Sequence, residues 1–530
     1  MRVMALFQLI LKLIPPITIP EQVVELWLRY RGRNAPTDFE RRVQRLAYYA
    51  TSHGMTSSMA RLYANQRNFF LSEKRVESYL RQCHKGFLIA QNEIVKLLPD
   101  IEKPLPELRK KFDVEVARYK RSRGCPPERT AIGKEYTDTL FKSMVLREIA
   151  NAIAWQILGN DGTKARALIQ GEHPRPANRG ELSQMLKIVN ASNIQDPNGF
   201  ALITDITSCI QVGDIIARTS KGALEIQEVK SGTVNHEIKT LLEMSPSSDA
   251  AKNRIQELRS KYGDTFDKQL KRVLRQGERM RLVAEYFSDS IGTDISSNLQ
   301  IITNVEPKVV DMYQGEVNEL LQTVRDSGSD KYKLIDECLL LGAFNNQRTK
   351  RSRRVSKMDF QHVAWHTFVE SWDKCAYKAL SDEATIESHF QYVTLPVFEL
   401  RDKVFEPTHQ PIWGNQIEED FILDILFGRI SLFYYFSPQR FVSMCNRNGL
   451  KAEFVTGRKY NKTKDSSSKS GVQLLDIHGG FVRISDASGD TTLHLGYGTL
   501  FKMIYEFHRP TSVIKLLAED LTSLPDRLPH

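Results

Sequence analysis

The stretch VGDIIARTSKGALEIQEVKSG, residues 212–232, decides how the middle of the chain is interpreted. Its two apolar runs flank the turn-forming residues 220–222, a pattern that predicts two antiparallel strands joined by a tight turn. Side chains alternate along a strand, so Glu228 and Lys230 share a face with the apolar positions of ALEIQEVK. A carboxylate and an ammonium group at the end of an otherwise apolar strand indicate a candidate functional site.

A second carboxylate precedes this hairpin. Asp214 in QVGDIIAR ends or interrupts the preceding strand, and a hairpin around residues 220–222 would bring it close to Glu228. Two acids that converge at the end of a sheet repel each other unless a cation lies between them, and oxygen ligands suit Mg²⁺ or Mn²⁺. Asp205 in LITDITS is an alternative first acid. We favour Asp214 because the preceding Gly213 frees the backbone to turn.

The segments around the hairpin predict one α/β layer structure. A long apolar helix is predicted over 137–162, ending at Gly-Asn-Asp-Gly, and FALITDI predicts a strand before the hairpin. A further helix is predicted over 266–287 and a strand over 297–305. This order predicts a mixed sheet sandwiched by helices.

Glu148 is the third candidate acid. It falls on one stripe with Val145, Ala152 and Trp155 in a helix that is apolar nearly all round. Ionised glutamate is rarely buried unless it is paired or bound to metal. The alternative is a rim position, or a surface partner of the kind that Arg147 would provide.

Taken together, these residues resemble the PD-(D/E)xK nuclease superfamily, which has the restriction-endonuclease-like fold. The resemblance covers residues 135–310. It implies that Glu148 is the helix acid, Asp214 the first motif acid, and Glu228 and Lys230 the strand pair. Gly213 stands where the family often has proline.

The resemblance implies a magnesium-dependent endonuclease that hydrolyses phosphodiester bonds, with DNA more expected than RNA. Mg²⁺ or Mn²⁺ would be held by Asp214, Glu228, the Val229 carbonyl and Glu148, while Lys230 would orient water and stabilise the growing charge. The products would carry a 5′-phosphate and a 3′-hydroxyl. Unfamiliar flanking domains suggest, by analogy, a prokaryotic antiviral defence or restriction effector.

Two other classes of function remain open. One is a catalytically inactive nuclease-like protein that only binds nucleic acid or a partner, although an intact set of two acids and a lysine speaks against it. The other is a scaffold whose strand acids are salt-bridged to neighbouring bases. The chain has neither a GxxxxGK[ST] phosphate loop nor a GxSxG elbow. Cleavage would therefore be metal-driven, and either constitutive or controlled by a protein partner, a homo-oligomeric state or the flanking domains.

Two further regions are candidates for nucleic-acid binding. In the helix over 266–287, Gln269, Arg272 and Gln276 share one face, and the opposite stripe is predicted to pack on the sheet. The run around 345–357 carries Arg351, Arg353 and Arg354 without an acid and could grip a phosphate backbone or simply be a solvated loop. His362 and His366 are interpreted as core or surface histidines, since no HExxH motif joins them.

Composition sets the limits on domain organisation. The 530 residues are 41% hydrophobic and 26% charged with a net charge of +10, which fits a globular protein with a polyanionic partner. We predict a helical domain over 1–130, a nuclease-like domain over 131–310 and an α+β domain over 311–530. Within the last of these, residues 411–458 are predicted to be helical, followed by a small meander.

Cysteine usage and the N-terminus bear on location. The six cysteines are scattered with no CxxC pair, which favours a reducing compartment such as the cytoplasm and argues against a zinc module. The opening run MRVMALFQLILKLIPP is interrupted by Lys12 and has no cleavage site, so we predict a packed first helix and no membrane role.

Overall fold

The computed structural model divides the chain into two compact units, Met1–Asn304 and Val305–His530. It describes residues 37–52, 73–122, 125–169, 176–229, 233–242, 244, 248–289, 291–293, 300–302, 310–349, 353–368, 397–406, 409–415, 417–456, 480–486, 489 and 492–527. The predicted first helix at the N-terminus lies outside these residues. In the described part of the chain, no helix has the length and apolar character that a bilayer crossing requires.

The first unit begins with long helices. They are α1 (Asp38–Ala47), α2 (Glu73–Glu102), α3 (Leu105–Ser122), α4 (Ala131–Ile157), α5 (Gly162–Leu168) and α6 (Arg179–Gln195). The hydroxyl of Thr130 caps α4 by accepting from the amide of Gly133. The helix ends where Gly159 and Asn160 take positive φ values of 75° and 57°, as the Gly-Asn signal predicts.

A small antiparallel sheet follows these helices. Its strands β1 (Phe200–Ile203), β2 (Ile215–Arg218) and β3 (Leu224–Gln227) lie in the order β1-β2-β3. The predicted hairpin is confirmed, and Gly222 supplies the positive φ of 82° that its turn requires. The sheet packs against α2 and α6, both of which contact β1.

The end of the first unit differs from the prediction. Helices α7 (Thr233–Leu242), α8 (Asp249–Tyr262) and α9 (Asp264–Asp289) precede a short hairpin of β4 (Ile291–Thr293) and β5 (Gln300–Ile302). The predicted strand over 297–305 therefore pairs with β4 and not with the three-stranded sheet. The apolar stripe of α9 packs in one cluster with α7 and α8, so the expectation that it covers the sheet was wrong.

The second unit opens with a helix and a hairpin. Helix α10 (Gln314–Ser327) leads into β6 (Lys331–Ile335) and β7 (Leu339–Asn345), followed by α11 (Asn346–Thr349) and α12 (Arg353–Phe368). After β8 (Val397–Glu399) and α13 (Leu400–Lys403) come α14 (Glu419–Leu426) and β9 (Ile430–Phe436). The strands form a four-stranded antiparallel sheet in the order β6-β7-β9-β8.

The remainder of this unit is a meander closed by helices. Helix α15 (Pro438–Arg447) is followed by β10 (Lys451–Thr456), β11 (Gly480–Ser485) and β12 (Thr492–His494), and the chain continues through α16 (Tyr497–Tyr505) and α17 (Pro510–Arg527). The prediction that 411–458 is helical holds for α14 and α15 but was wrong for β9 and β10, which lie in the same range. The run ISLFYYF is buried on both faces between β7 and β8, and such a run has no period that separates strand from helix.

The described fold is thus mixed α and β, as predicted in outline. Every strand pair in the described ranges is antiparallel, whereas the prediction was a mixed sheet. The restriction-endonuclease-like fold itself stays a prediction. So does the three-domain division, although helices from both sides of residue 130 pack together within the first unit.

Candidate metal and nucleic-acid site

One edge of the three-stranded sheet collects the candidate acids. Ile203 at the end of β1 pairs with Ile215 at the start of β2, which in turn pairs with Gln227 at the end of β3. Asp205 therefore follows β1, and Asp214 and Glu228 lie just beyond the ends of β2 and β3 at the same edge. Asp205 and Asp214 are the two candidates for the first metal-binding acid, and they lie on neighbouring segments.

The carboxylate of Asp214 joins the ends of β2 and β3. Its Oδ2 atom accepts a hydrogen bond of 2.6 Å from the amide of Val229, and its own amide donates to the carbonyl of Gln227 at 2.9 Å. A side-chain acceptor thus replaces the next rung of the ladder, and β3 ends at Gln227, one residue before Glu228. Glu228 is half-buried, and its Oε2 atom is shielded from solvent.

Gly213 is required by this geometry. Its φ is +74°, and a Cβ atom at this position would lie 2.3 Å from Cγ2 of Ile226. Thr204 holds the same segment from the other side, because its hydroxyl donates to the carbonyl of Gly213 at 2.6 Å and its amide donates to the carbonyl of Asp214 at 2.9 Å. The backbone before Asp214 is therefore held between the ends of β1 and β3.

Glu148 lies in α4 and is 2% exposed. The side-chain Nδ2 atom of Asn151 donates a hydrogen bond of 3.0 Å to the Oε2 atom of Glu148. Its neighbour Arg147 reaches the carbonyl of Asp205, which puts this turn of α4 at the edge of the sheet where the other acids lie. The Glu148 side chain is therefore directed into the protein, as its apolar stripe predicts.

Arg147 is not the surface partner that the sequence suggested. It is 4% exposed and forms a bidentate ion pair with Glu102 of α2, with nitrogen–oxygen distances of 2.8 and 2.9 Å. Glu102 also accepts from the hydroxyl of Ser143 and from the amide of Ala177. Sequence reasoning missed this pair, although an arginine in an apolar helix was a signal that it needed a buried acid.

Cys209 follows the turn after β1 and is buried beside Glu148. Burial raises the pKa of its thiol, and the negative charge of Glu148 raises that pKa further. Both effects disfavour a thiolate at this position.

The acids are not assembled into a complete metal centre. Across the described ranges, no three or more His, Cys, Asp or Glu side chains are grouped so that they could hold a metal ion. Asp214 and Glu228 share one sheet edge and one face, but Glu148 is not brought into such a group with them. Lys230 lies outside the described residues, and its role stays a prediction.

The candidate residues for nucleic-acid binding fall in both units. On α9, Gln269, Arg272 and Gln276 are half-buried, and the exposed bases Lys268 and Arg275 accompany them.

In the second unit, Arg353 and Arg354 begin α12, their side chains are not described, and Arg351 lies outside the described residues. Further along α12, His362 and His366 are exposed, with their Nε2 atoms 3.2 Å apart. They are surface histidines, one of the two alternatives that the sequence left open.

The chain was also compared with known proteins. No protein-family model, no curated protein and no solved structure matches it.

Proposed function

We propose that this protein is a metal-dependent endonuclease that hydrolyses phosphodiester bonds, preferably in DNA. The observation that supports this best is the Asp214 carboxylate, which is hydrogen-bonded to the Val229 amide at the edge where Glu228 also lies. Two acids on adjacent strand ends, with a lysine two residues further along the sequence, resemble the constellation of the PD-(D/E)xK nucleases. A prokaryotic defence or restriction role rests on the same resemblance.

The donors at this edge fit Mg²⁺ or Mn²⁺. Carboxylate oxygens of Asp214 and Glu228, with the main-chain carbonyl of Val229, are hard ligands that leave positions for water and phosphate oxygen. Such an ion, when bound, polarises the phosphate and lowers the pKa of a bound water. Glu148 would support the site from α4 and would need to move to become a direct ligand.

The chain's own residues would carry the remaining tasks. Lys230 would orient the attacking water and offset negative charge that grows on the phosphate. Gln269, Arg272 and Gln276 would contact substrate from α9, and its exposed bases would hold the phosphate backbone. In the second unit, Arg351, Arg353 and Arg354 would bind a phosphate backbone in their own right.

Cleavage assays test the proposal directly. The purified full chain is incubated with plasmid, single-stranded DNA and RNA in Mg²⁺, Mn²⁺ or EDTA. We expect metal-dependent nicking of the plasmid that Asp214→Asn, Glu228→Gln and Lys230→Ala reduce by about 100-fold or more, as loss of a group that stabilises transition-state charge does.

Glu225→Gln is the matched control. Glu225 lies in the same strand as the site but is exposed and points to the opposite face, so this variant should cut as well as wild type. Nicking that survives in the three site variants, or that persists in EDTA, would refute the assignment.

One observation favours a second function, which is binding without cleavage. Because the described residues contain no three-acid metal group, the protein could be a nuclease-like module that binds nucleic acid or a partner without cleaving. Metal-independent binding of DNA in the absence of any cleavage would favour this alternative.

A further inference from the structure

A buried polar network crosses α4 on its way to the sheet edge. Glu102, Ser143, Arg147, Glu148 and Asn151 are each no more than 4% exposed, although the rest of this part of α4 is apolar. Buried polar groups cost stability unless they are paired. Their hydrogen-bond partners therefore show which parts of the structure these groups connect.

Arg147 holds both ends of the turn after β1. While its Nε and Nη2 atoms bind Glu102, its Nη1 atom donates to the carbonyls of Asp205 and Thr207 at 2.7 and 3.0 Å. One guanidinium group thus connects α2, α4 and the turn. Because arginine presents its donors in a rigid fork, the turn has little freedom to change shape without breaking the buried ion pair.

Asn151, one turn further along α4, holds the next residues of the same loop. Its Oδ1 atom accepts from the amides of Ser208 and Cys209 at 2.8 and 3.2 Å. Its Nδ2 atom donates to the hydroxyl of Ser208 and to the carboxylate of Glu148 at 2.8 and 3.0 Å. Asn151 therefore connects the loop to the candidate helix acid.

The held segment is in contact with Asp214. Thr204, which precedes the turn, donates from its amide to the carbonyl of Asp214 and from its hydroxyl to the carbonyl of Gly213. A shift of the turn would therefore shift Thr204 and change how the Asp214 carboxylate meets the amide of Val229.

We infer that Arg147 and Asn151 are positioning residues for the acid pair. They hold residues 204–209 against α4, and through Thr204 they hold Asp214 in the orientation that faces the end of β3. This inference rests on the proposed function, because it assigns the network a role in metal affinity beyond its contribution to folding. Outer contacts of this kind change metal affinity by about 10–100-fold when they are removed.

Two variants test the network. Asn151→Leu removes the contacts to the loop together with the hydrogen bond to Glu148. The double variant Glu102→Gln, Arg147→Met removes both charges of the ion pair together, so that neither is left buried without the other. Gln156→Leu is the control, since Gln156 is also an amide of α4 but donates to the carbonyls of Ala50 and Ala152, away from the loop.

The full chain carrying each change is titrated with Mn²⁺ by calorimetry, and backbone exchange over residues 204–214 is followed by mass spectrometry. We expect both network variants to bind Mn²⁺ at least about tenfold more weakly and to exchange faster in this segment, while the control matches wild type. Thermal melts verify that all variants are folded at the measuring temperature.

The outcomes separate the inference from the proposed function. If wild type binds Mn²⁺ and the network variants bind it equally well, the network is structural only and the inference is overturned, whereas the proposed function stands. If wild type neither binds Mn²⁺ nor cleaves, the proposed function fails and the inference fails with it.

Discussion

At the residue scale, the acids beside the hairpin could be read from the sequence because local rules place them. Alternation along β3 and the turn at Gly222 suffice to bring Asp214 to the end where Glu228 lies. The hydrogen bond from the Val229 amide to Asp214 could not be read in the same way. It depends on where β3 stops pairing, which no local pattern specifies.

Gly213 offers a sharp test of this geometry. Gly213→Ala should destabilise the protein because alanine at φ +74° costs about 1–2 kcal/mol and its Cβ would collide with Ile226. Gly222→Ala is the control, since Gly222 has a similar φ of +82° but nothing within 4 Å of the added atom. Urea unfolding should show that the Gly213 variant loses about 1–3 kcal/mol more than the Gly222 variant. Equal losses would mean that Ile226 does not restrict this position.

Because of His84, we expect the free energy of unfolding to depend on pH. The His84 ring contacts those of Phe87 and Phe200. Burial lowers its pKa from 6.5 to about 4, whereas hydrogen bonding to Pro197 and the charge of Asp196 act in the opposite direction. Because the unfolded chain takes up the proton first, the protein loses stability as the pH falls from 6.5 towards 4. The loss should total roughly 3 kcal/mol.

His84→Phe should remove this component, because phenylalanine fills a similar volume and does not titrate. The free energy of unfolding, measured in urea at pH 7 and pH 5, should fall less in this variant than in wild type. His236→Gln is the control at an exposed histidine. If wild type and His84→Phe lose the same stability between the two pH values, His84 is not the titrating group.

At the scale of secondary-structure elements, the sequence predicted helices better than it predicted what they pack against. The central parts of α4 and α9 follow from apolar periodicity, but α4 runs over Ala131–Ile157 where 137–162 was predicted, and α9 runs over Asp264–Asp289 where 266–287 was predicted. The stripe of α9 that includes Phe266 was expected on the sheet, yet it packs with α7 and α8. Periodicity identifies an apolar face but does not identify the surface that covers it.

The bases of α9 should contribute to nucleic-acid binding if the proposed function is correct. Replacing Lys268, Lys271 and Arg275, which are exposed, with glutamine should weaken DNA binding and reduce the slope of log K against log salt by about 2–3, because each lost phosphate contact contributes about 0.9. Fluorescence anisotropy over a range of salt concentrations measures this slope.

A variant of equal charge change provides the control. Glutamine at Lys103, Lys110 and Lys120, exposed lysines in and beside α3, lowers the net charge by the same amount at another surface. If the two triple variants change the slope equally, the protein binds through its overall charge and α9 has no special part.

At the scale of the whole molecule, the first unit predicts which fragments can fold. Gln91 of α2 accepts from the amide of Ile203 in β1 at 2.8 Å, and Glu102 of α2 pairs with Arg147. A fragment over 131–310, the predicted nuclease-like domain, would lack both contacts. It would leave Arg147 buried without its acid, which costs about 3–5 kcal/mol.

We therefore expect residues 131–310 alone to fail to fold, whereas residues 1–304 and 305–530 should each unfold cooperatively. Circular dichroism melts of the three fragments measure this, with limited proteolysis of the full chain as an independent check on the boundary near 304. A cooperative melt of 131–310 that matches that of 1–304 would show that the N-terminal helices form a separate domain.

The sequence by itself determined the hairpin, the presence of the long helices α4 and α9, and the two acids at the end of the hairpin. These follow from interactions between residues close in the chain, such as strand alternation, turn glycines and helix stop signals. Only the tertiary structure decided that Arg147 pairs with Glu102 and that Asn151 holds Ser208 and Cys209, since these partners are 45, 57 and 58 residues apart in sequence. Such contacts depend on how the helices pack around the sheet. A buried polar or charged group is stable only when it is paired, and the packing decides which partner lies within hydrogen-bonding distance.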